Sequence, residues 1–276
     1  MTYSQVAAKL DGLLATGRPA FIGYLPLGFP TLENSIDAVI TMIDAGVDIV
    51  ELGIPYTDPV MDGPIIQAAA QIALDNGIHP RDVFGVINQI KMQRPGIPIL
   101  VMTYYNPVFR YGVEKFAHDL ADAGGAGLIT ADLVPEQGPE WIAAADKYGL
   151  DKVFLVAPST LPQRLRLVAE ASRGFVYAAS TMGVTGVRSE VGAAAAKLVA
   201  DTRQAGAKHV CVGLGVSTGQ QAREVGRYAD GVIVGSALVK PLLDGSIPWD
   251  QRLQHLSRVT HEIAQGVAEA RKDTNA

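Results

Sequence analysis

One short pattern recurs along the chain and limits the folds open to it. Each copy is a helical stretch, then Ala-Gly or Ala-Asp-Gly, then a short apolar strand ending in a small or polar residue. The copies begin at Ala45, Ala123, Ala205 and Ala229. A helix that stops at a glycine and is followed at once by an apolar strand is typical of a parallel sheet, in which strands alternate with helices. The pattern therefore predicts an α/β fold.

Four further apolar runs complete the predicted sheet, at residues 21–25, 99–104, 153–156 and 175–179. Eight strands with interleaved helices in 276 residues predict a (β/α)8 TIM barrel, a single domain spanning residues 1–276. An open doubly wound sheet is the alternative, but residues 23–28 lack the Gly-x-Gly-x-x-Gly turn that it favours. Residues 1–17 predict an extra amphipathic N-terminal helix, not a signal peptide, and from about residue 265 a polar tail is expected.

Composition argues against several classes of function. The net charge of −5 and the absence of a clustered basic face argue against nucleic-acid binding. No apolar run is long enough to cross a bilayer, and the five histidines lack metal-ligand spacing, so we expect neither a membrane protein nor a metal site. The lone Cys211 lies in an apolar run without a disulfide partner, which favours a reducing, cytoplasmic location.

The segment from Glu51 to Gln67 carries the strongest functional signal. Glu51 ends an apolar strand, and the prolines that follow delay the next helix, so Asp62 falls on a loop. In a barrel the active site lies at the carboxyl ends of the strands, where two carboxylates on one connection suit acid–base chemistry. Either acid could instead be structural: Glu51 in an ion pair, Asp62 in a turn or at a helix N-cap.

Two groups of residues at the predicted strand ends complete a candidate site. Apolar and aromatic residues predict a pocket for a flat ring: Tyr24, Met102, Tyr104, Ile129, Leu155, Tyr177 and Leu214. Glycines follow the last three strands, at residues 183–186, 213–215 and 235–236. Because small residues let backbone N–H groups approach an anion, and barrels often bind phosphate at this position, these loops predict a phosphate site.

Together these motifs resemble the tryptophan synthase α-subunit family. The resemblance runs from about residue 19 to residue 240, and the loop at residues 51–67 is its most specific part. It implies a (β/α)8 barrel that cleaves indole-3-glycerol phosphate to indole and glyceraldehyde 3-phosphate in tryptophan biosynthesis, with no cofactor in this chain. It also implies an α2β2 assembly with a β subunit that carries pyridoxal phosphate.

The resemblance implies roles for individual residues. Glu51 becomes the general acid/base, Asp62 the partner of the indole N–H, and Tyr177 a neighbour of the ring, with Thr185 closing toward Asp62. The implied phosphate ligands are Gly186, Gly215, Gly235 and Ser236, and the implied partner contacts are Pro55, Asp58 and Asn106. Physical reasoning agrees for the acids: Glu51 among apolar side chains should have a raised pKa, whereas Asp62 on a wetter loop should stay ionised and stabilise a developing cation.

Three other interpretations are open at this stage. The chain could be a different phosphate-binding barrel, such as an indole-glycerol-phosphate synthase or a sugar-phosphate isomerase. The synthase normally has a catalytic lysine at a strand end, whereas Lys152 stands at a strand start. The chain could also be a ligand-binding regulatory subunit that activates a partner, or a free-standing lyase that releases indole. An assay of indole formation with and without a β subunit separates these possibilities.

Overall fold

The strands and helices alternate along the chain. The computed structural model describes residues 3–179, 188–213 and 215–271, with the backbone alone for residues 188–191. The strands are β1 (Ala20–Pro26), β2 (Ile49–Gly53), β3 (Ile99–Thr103), β4 (Gly127–Thr130), β5 (Asp151–Val153), β6 (Leu155–Val156), β7 (Val176–Ala179), β8 (Val210–Gly213) and β9 (Gly231–Val234). The helices are α1 (Gln5–Ala15), α2 (Leu32–Asp44), α3 (Pro64–Asp75), α4 (Asp82–Gln93), α5 (Tyr105–Tyr111), α6 (Val113–Asp122), α7 (Pro139–Tyr148), α8 (Pro162–Ala171), α9 (Arg188–Gln204), α10 (Gly219–Gly226), α11 (Ser236–Val239) and α12 (Trp249–Glu269). Two 3-10 helices, Pro135–Gln137 and Lys240–Leu242, accompany them.

The strands form one parallel sheet that curves into a barrel. The strand order is β5-β4-β3-β2-β1-β9-β8-β7-β6, so β5 and β6 are the two edges of the sheet. These edges are consecutive in the chain and are separated only by Phe154, with β5 paired to β4 and β6 paired to β7. The segment predicted as one strand at residues 153–156 is therefore split in two, and it brings the sheet edges together. The predicted TIM barrel is confirmed.

Side chains alternate between the barrel interior and the layer under the helices. Ile22 and Ile49 are register partners on β1 and β2, and both belong to the interior cluster. Val50 and Leu52 point the other way, into the layer that packs against the helices. Because successive side chains on a strand face opposite sides, Glu51 shares the interior face with Ile49. The alternation of side chains along β2 thus places the carboxyl of Glu51 inside the barrel.

Helix α1 belongs to the interior cluster of the barrel. Its Val6 and Leu10 are 0% exposed and pack with residues of the central strands such as Ile22. The Ser4 side chain accepts a hydrogen bond from the backbone N–H of Ala7 and begins the helix. The helix is also tied to the barrel by Asp11, which accepts from His209 Nε2 at 2.9 Å. The predicted extra N-terminal helix is confirmed.

The outer helices bury apolar faces, and the end of the chain requires one correction. On α6 the apolar residues at helical spacing, Val113, Phe116, Ala117 and Leu120, are buried. Residues 265–269 were expected in a polar tail, but they lie in α12, where Val267 is 0% exposed. They stay helical because this last turn packs on the barrel, a contact that local composition does not reveal. Residues 272–276 lie outside the described part of the chain.

In the part of the chain that the structure describes, the helices are all too short or too polar to cross a membrane.

Candidate active site

Glu51 is the most isolated acid of the barrel interior. Its side chain is 1% exposed, and its Oε1 atom has no hydrogen-bond partner among the residues described. Burial raises the pKa of the Glu51 carboxyl to about 8, since a charge is poorly solvated there. At neutral pH the group therefore holds a proton that it can release and take back. This confirms the direction expected from the sequence.

Two tyrosines lie near Glu51, one on the neighbouring strand β1 and one on β7, four strands away in the sheet. Tyr24 is the register partner of Glu51 on β1, and Tyr177 lies on β7. Burial raises the pKa of both hydroxyls, and the Glu51 carboxylate raises it further, so both stay neutral. A Cβ on Gly53 would lie 2.2 Å from the Tyr24 hydroxyl, and one on Gly213 would lie 2.4 Å from the Tyr177 hydroxyl. The two glycines thus provide the room that the rings occupy.

Asp62 lies half-buried on the loop between β2 and α3. Burial raises the pKa of its carboxyl, while a hydrogen bond from the Tyr104 hydroxyl opposes that rise. The same hydroxyl accepts from the backbone N–H of Met61 at 2.9 Å. The expectation of a wet loop was therefore wrong in part, because Tyr104 and the barrel rim cover one side of this carboxylate. Asp62 and Glu51 both lie close enough to Tyr24 to raise the pKa of its hydroxyl further, after the larger effect of burial.

The predicted ring pocket lies on the inner face of the barrel. Met102, Leu155 and Tyr177 pack against the same interior cluster, to which the fully buried Ile129 belongs. Tyr104 follows β3 and is 5% exposed. Leu214, also predicted to contact a ring, and Thr185, predicted to close toward Asp62, lie outside the described residues. The described lining is apolar apart from the tyrosine hydroxyls and the two acids.

Three of the four predicted phosphate ligands are described. Gly215 is exposed and has a φ of +64°, a conformation that favours glycine. Gly235 follows β9, and Ser236 begins the short helix α11. Gly235 also adjoins Tyr24, because a Cβ there would lie 3.5 Å from its ring atom Cδ1. Gly186, together with the other residues of its loop, is among those not described.

The residues predicted to meet a partner differ in exposure. Asp58 and Asn106 are exposed, whereas Pro55 is buried by its own chain. A residue covered in this way offers little surface of its own to a partner. Val60, Met61 and Phe109 are large apolar side chains left exposed. Exposed apolar side chains grouped on one face are typical of a protein–protein contact surface.

Sequence reasoning missed Gly53 and Tyr56. Gly53 could have been found, because it lies two residues after Glu51 and so shares the inner face of β2. Tyr56 stacks on Tyr104, with ring centroids 5.2 Å apart, and accepts a hydrogen bond from Asn106 Nδ2 at 3.1 Å. No sequence pattern identifies this contact, since it depends on how the loop folds back over α5.

Among the described residues, no group of three or more histidine, cysteine, aspartate or glutamate side chains could hold a metal ion. Acids and hydroxyls are the reactive side chains that the described residues bring to this end of the barrel. A buried glutamate with a raised pKa, together with a second carboxylate at the rim, is typical of an enzyme site on a (β/α)8 barrel.

Comparisons with known proteins make the family specific. The family profile described as tryptophan synthase alpha chain matches residues 10–270. The tryptophan synthase alpha chain of Bifidobacterium longum is 53% identical over 97% of this chain and 93% of its own length. That of Leifsonia xyli is 55% identical over 95% and 98%. A crystal structure of tryptophan synthase from M. tuberculosis, in an aminoacrylate-bound form, has a TM-score of 0.86 at 45% identity, covering 96% of this chain and 100% of that one.

The chain therefore belongs to the tryptophan synthase alpha chain family. It is a carbon–carbon lyase of tryptophan biosynthesis that cleaves indole-3-glycerol phosphate to indole.

Proposed function

We propose that Glu51 is the general acid/base of the cleavage and that Asp62 stabilises the charge that develops on the indole ring. The reaction is a retro-aldol cleavage. A proton added to C3 of the indole moves positive charge to the ring nitrogen. Removal of a proton from the adjacent side-chain hydroxyl then breaks the carbon–carbon bond, whose electron pair returns to the ring. Indole and glyceraldehyde 3-phosphate leave.

The observation that carries this proposal is the buried, unpartnered carboxyl of Glu51, with its pKa near 8. Such a group is protonated at neutral pH, so it can donate to C3, and the resulting carboxylate is basic enough to take the hydroxyl proton. General acid–base catalysis by one positioned side chain is typically worth about 10²- to 10⁴-fold in rate.

The position of Asp62 suits the second role. A carboxylate opposite the indole N–H stabilises positive charge most when it is partly shielded from water, because screening is then weaker. Burial raises the pKa of Asp62, and the interaction with the Tyr104 hydroxyl opposes that rise. Glu51 and Asp62 thus have different environments, one apolar and without a partner, the other beside a hydroxyl at the rim. Two carboxyl groups in distinct environments are typical of an acid–base pair.

Substrate binding divides between the two halves of the barrel mouth. The apolar residues Met102, Ile129 and Leu155 with the rings of Tyr24, Tyr104 and Tyr177 pack around the indole, and Leu214 and Thr185 complete this side. Backbone N–H groups near Gly186, Gly215, Gly235 and Ser236 hold the phosphate. A hydrogen bond to a charged group contributes about 1.5 to 3 kcal/mol, so a few convergent amides can bind phosphate without a lysine or arginine.

The partner of this chain is a tryptophan synthase beta chain in an α2β2 assembly, with pyridoxal phosphate in the beta chain alone, in the cytoplasm. Support comes from the family and from the exposure of Asp58 and Asn106, each near exposed apolar residues in the sequence, Val60 and Met61 in one case and Phe109 in the other. Mixing the two chains and following them by size-exclusion chromatography tests the partnership. Elution of the two chains as separate peaks at micromolar concentration contradicts it.

The catalytic assignment is tested by Glu51→Gln. The amide keeps the shape of the side chain but cannot deliver and take back the proton. We expect it to bind glycerol phosphate as the parent does and to lose indole release, with and without the beta chain. Near-normal turnover by this variant refutes the role of Glu51. Loss of ligand binding together with turnover means instead that the substitution disturbs the pocket.

A further inference from the structure

The loop that carries Asp62 depends on side chains for its position. In the described part of the chain, no backbone–backbone hydrogen bond involves residues 55–62. Gln67 Nε2 donates to the carbonyl oxygen of Asp62 at 2.7 Å, which fixes only the far end of the loop. The position of the Asp62 carboxylate is therefore determined by what its loop contacts on the barrel rim.

Tyr104 is the main contact of this loop with the barrel. It directly follows β3 and is 5% exposed, so its ring is held by the core. Its hydroxyl accepts from the N–H of Met61 at 2.9 Å. The same hydroxyl lies close enough to the Asp62 carboxyl to lower the pKa of that group. One hydroxyl thus holds the backbone beside the second acid and favours the ionised form of that acid.

Tyr56 holds Tyr104 from the other side. Its ring is stacked on the Tyr104 ring at a centroid distance of 5.2 Å and an angle of 33°. Its hydroxyl accepts from Asn106 Nδ2 at 3.1 Å, in the first turn of α5. Tyr56 and Asp62 belong to the same loop, so this loop contacts Tyr104 twice. Near its start the Tyr56 ring packs on the Tyr104 ring, and near its end the N–H of Met61 bonds to the Tyr104 hydroxyl.

We propose that Tyr56 is a positioning residue for Asp62 and that it acts through Tyr104, with Asn106 fixing the Tyr56 ring. Tyr104 is the pocket residue whose ring Tyr56 contacts, so the effect of Tyr56 on the reaction passes through that neighbouring ring. The inference rests on the proposed function, because it needs Asp62 to act on the indole nitrogen.

A chain of contacts alone does not demonstrate coupling, so the test is a double-mutant cycle. Tyr104→Phe removes the hydroxyl that bonds to Asp62 and should lower kcat for indole formation about tenfold, with a KM change below about twofold. Tyr56→Phe removes the bond to Asn106 but keeps the stack, and should lower kcat by about threefold. Asn106→Ala should match Tyr56→Phe.

The double variant distinguishes a path through Tyr104 from independent effects. If Tyr56 acts only through the Tyr104 hydroxyl, Tyr56→Phe in the Tyr104→Phe background should have no further effect on kcat. Effects that multiply, or a Tyr56→Phe variant with parental kcat, overturn the proposal. Tyr111→Phe is the matched control, because this α5 tyrosine also stacks on aromatic rings and donates to Asp119, away from the loop. It should keep the parental kcat.

Two further measurements separate this inference from the proposed function and from misfolding. Asp62→Asn tests the proposed function itself. If this variant keeps turnover, the role of Asp62 is refuted. If Asp62→Asn is inactive but Tyr56→Phe has the parental kcat, only the role of Tyr56 is refuted. The pH profile of kcat/KM provides a readout that altered packing alone does not move. In Tyr104→Phe the Asp62 carboxyl loses the interaction that lowers its pKa, so the acid limb of the profile should shift to higher pH. Tyr24, which also lies near Asp62, stays neutral and does not contribute to this limb. An unshifted limb overturns the proposal.

Discussion

The two ends of the barrel treat buried acids in opposite ways. Asp48, just before β2, accepts two hydrogen bonds from Arg18, at 2.9 and 2.7 Å, and one from the backbone N–H of Phe21 at 2.9 Å. Glu51 lies on β2, three residues further along the chain, and has an unpartnered Oε1 and a pKa raised to about 8. Both acids are almost fully buried. One is neutralised by a cation and the other is left to hold a proton.

The difference teaches where this fold places stability and where it places chemistry. At the amino end, α1 packs into the barrel and Asp11 binds His209 and Lys208. At the carboxyl end, glycines face tyrosine hydroxyls and the loop with Asp62 is held by side chains. In TIM barrels the amino end stabilises and the carboxyl end carries the active site. Substitutions at the two ends should therefore have different readouts.

The largest expected effect is that of Glu51→Gln, which should change activity and stability in opposite directions. Loss of the general acid/base should lower kcat by about 10²- to 10⁴-fold. The folded pKa of about 8 lies above the ordinary 4.5. As pH rises between these values, the unfolded chain releases a proton that the folded chain keeps, so the stability of the parent falls. Urea unfolding at several pH values should show this loss, on the order of a few kcal/mol, in the parent only. Equal pH slopes in parent and variant contradict the account.

Leu10→Ala tests the amino end. The side chain is 0% exposed in α1, so its truncation should reduce the free energy of unfolding by about 2 to 5 kcal/mol. At a temperature where the variant is folded, kcat should stay within about twofold of the parent, since the site lies at the other end. Gly12→Ala on the same helix is the control: a Cβ there meets nothing within 4 Å, so stability should rise by about 0.5 to 1 kcal/mol. A large fall in kcat for Leu10→Ala contradicts the claim that the amino end of the barrel provides stability while the carboxyl end provides catalysis.

Gly53→Ala should affect both readouts, because it lies at the carboxyl end but within the barrel. The new Cβ would stand 2.2 Å from the Tyr24 hydroxyl and 2.5 Å from its ring, so the ring has to move. Overpacking of this kind reduces stability by about 1 to 3 kcal/mol, and the displaced ring should also lower kcat/KM. Thermal melting and steady-state kinetics measure the two effects. Gly85→Ala, where a Cβ meets nothing within 4 Å, should change neither for the worse.

The smallest expected effect is that of Asp11→Ala. This acid is half-exposed, and its bonds to Lys208 and His209 hold the pKa of its carboxyl below the ordinary 3.8. Its contribution is therefore present above that pH and is lost as the pH falls. Surface pairs are worth about 0.2 to 1 kcal/mol, and the buried His209 loses a partner as well, so about 1 kcal/mol is expected. An unchanged kcat with slightly weaker stability at pH 7 fits the account. A changed kcat does not.

Much of the barrel could be predicted from the sequence, because its signals are local. The Ala-Gly stops locate strands, and the two-residue period of β2 places Glu51 inside once the sheet is assumed. The acid/base role proposed for Glu51 follows from its type and position, and its raised pKa from the apolar residues beside it.

The remainder depends on contacts between distant segments. The half-burial of Asp62 and the burial of Pro55 depend on how the loop settles on the barrel, where the backbone N–H of Met61 bonds to the hydroxyl of the distant Tyr104. The stack of Tyr56 on Tyr104 joins residues far apart in the chain. The last turn of α12 looks polar in sequence, yet Val267 packs against the barrel. Sequence periodicity does not predict these contacts, because they form only when distant segments pack together.

The central claim is that the buried carboxyl of Glu51 in the barrel interior is protonated at neutral pH. Its most direct test is a carbon-13 NMR titration of the chain with labelled glutamate side-chain carboxyls, with Glu51→Gln used to assign the resonance. We expect one glutamate resonance to titrate near pH 8 and to vanish in the variant. If the resonance lost in the variant titrates near 4.5, the ordinary value, Glu51 is ionised at neutral pH and cannot be the proton donor.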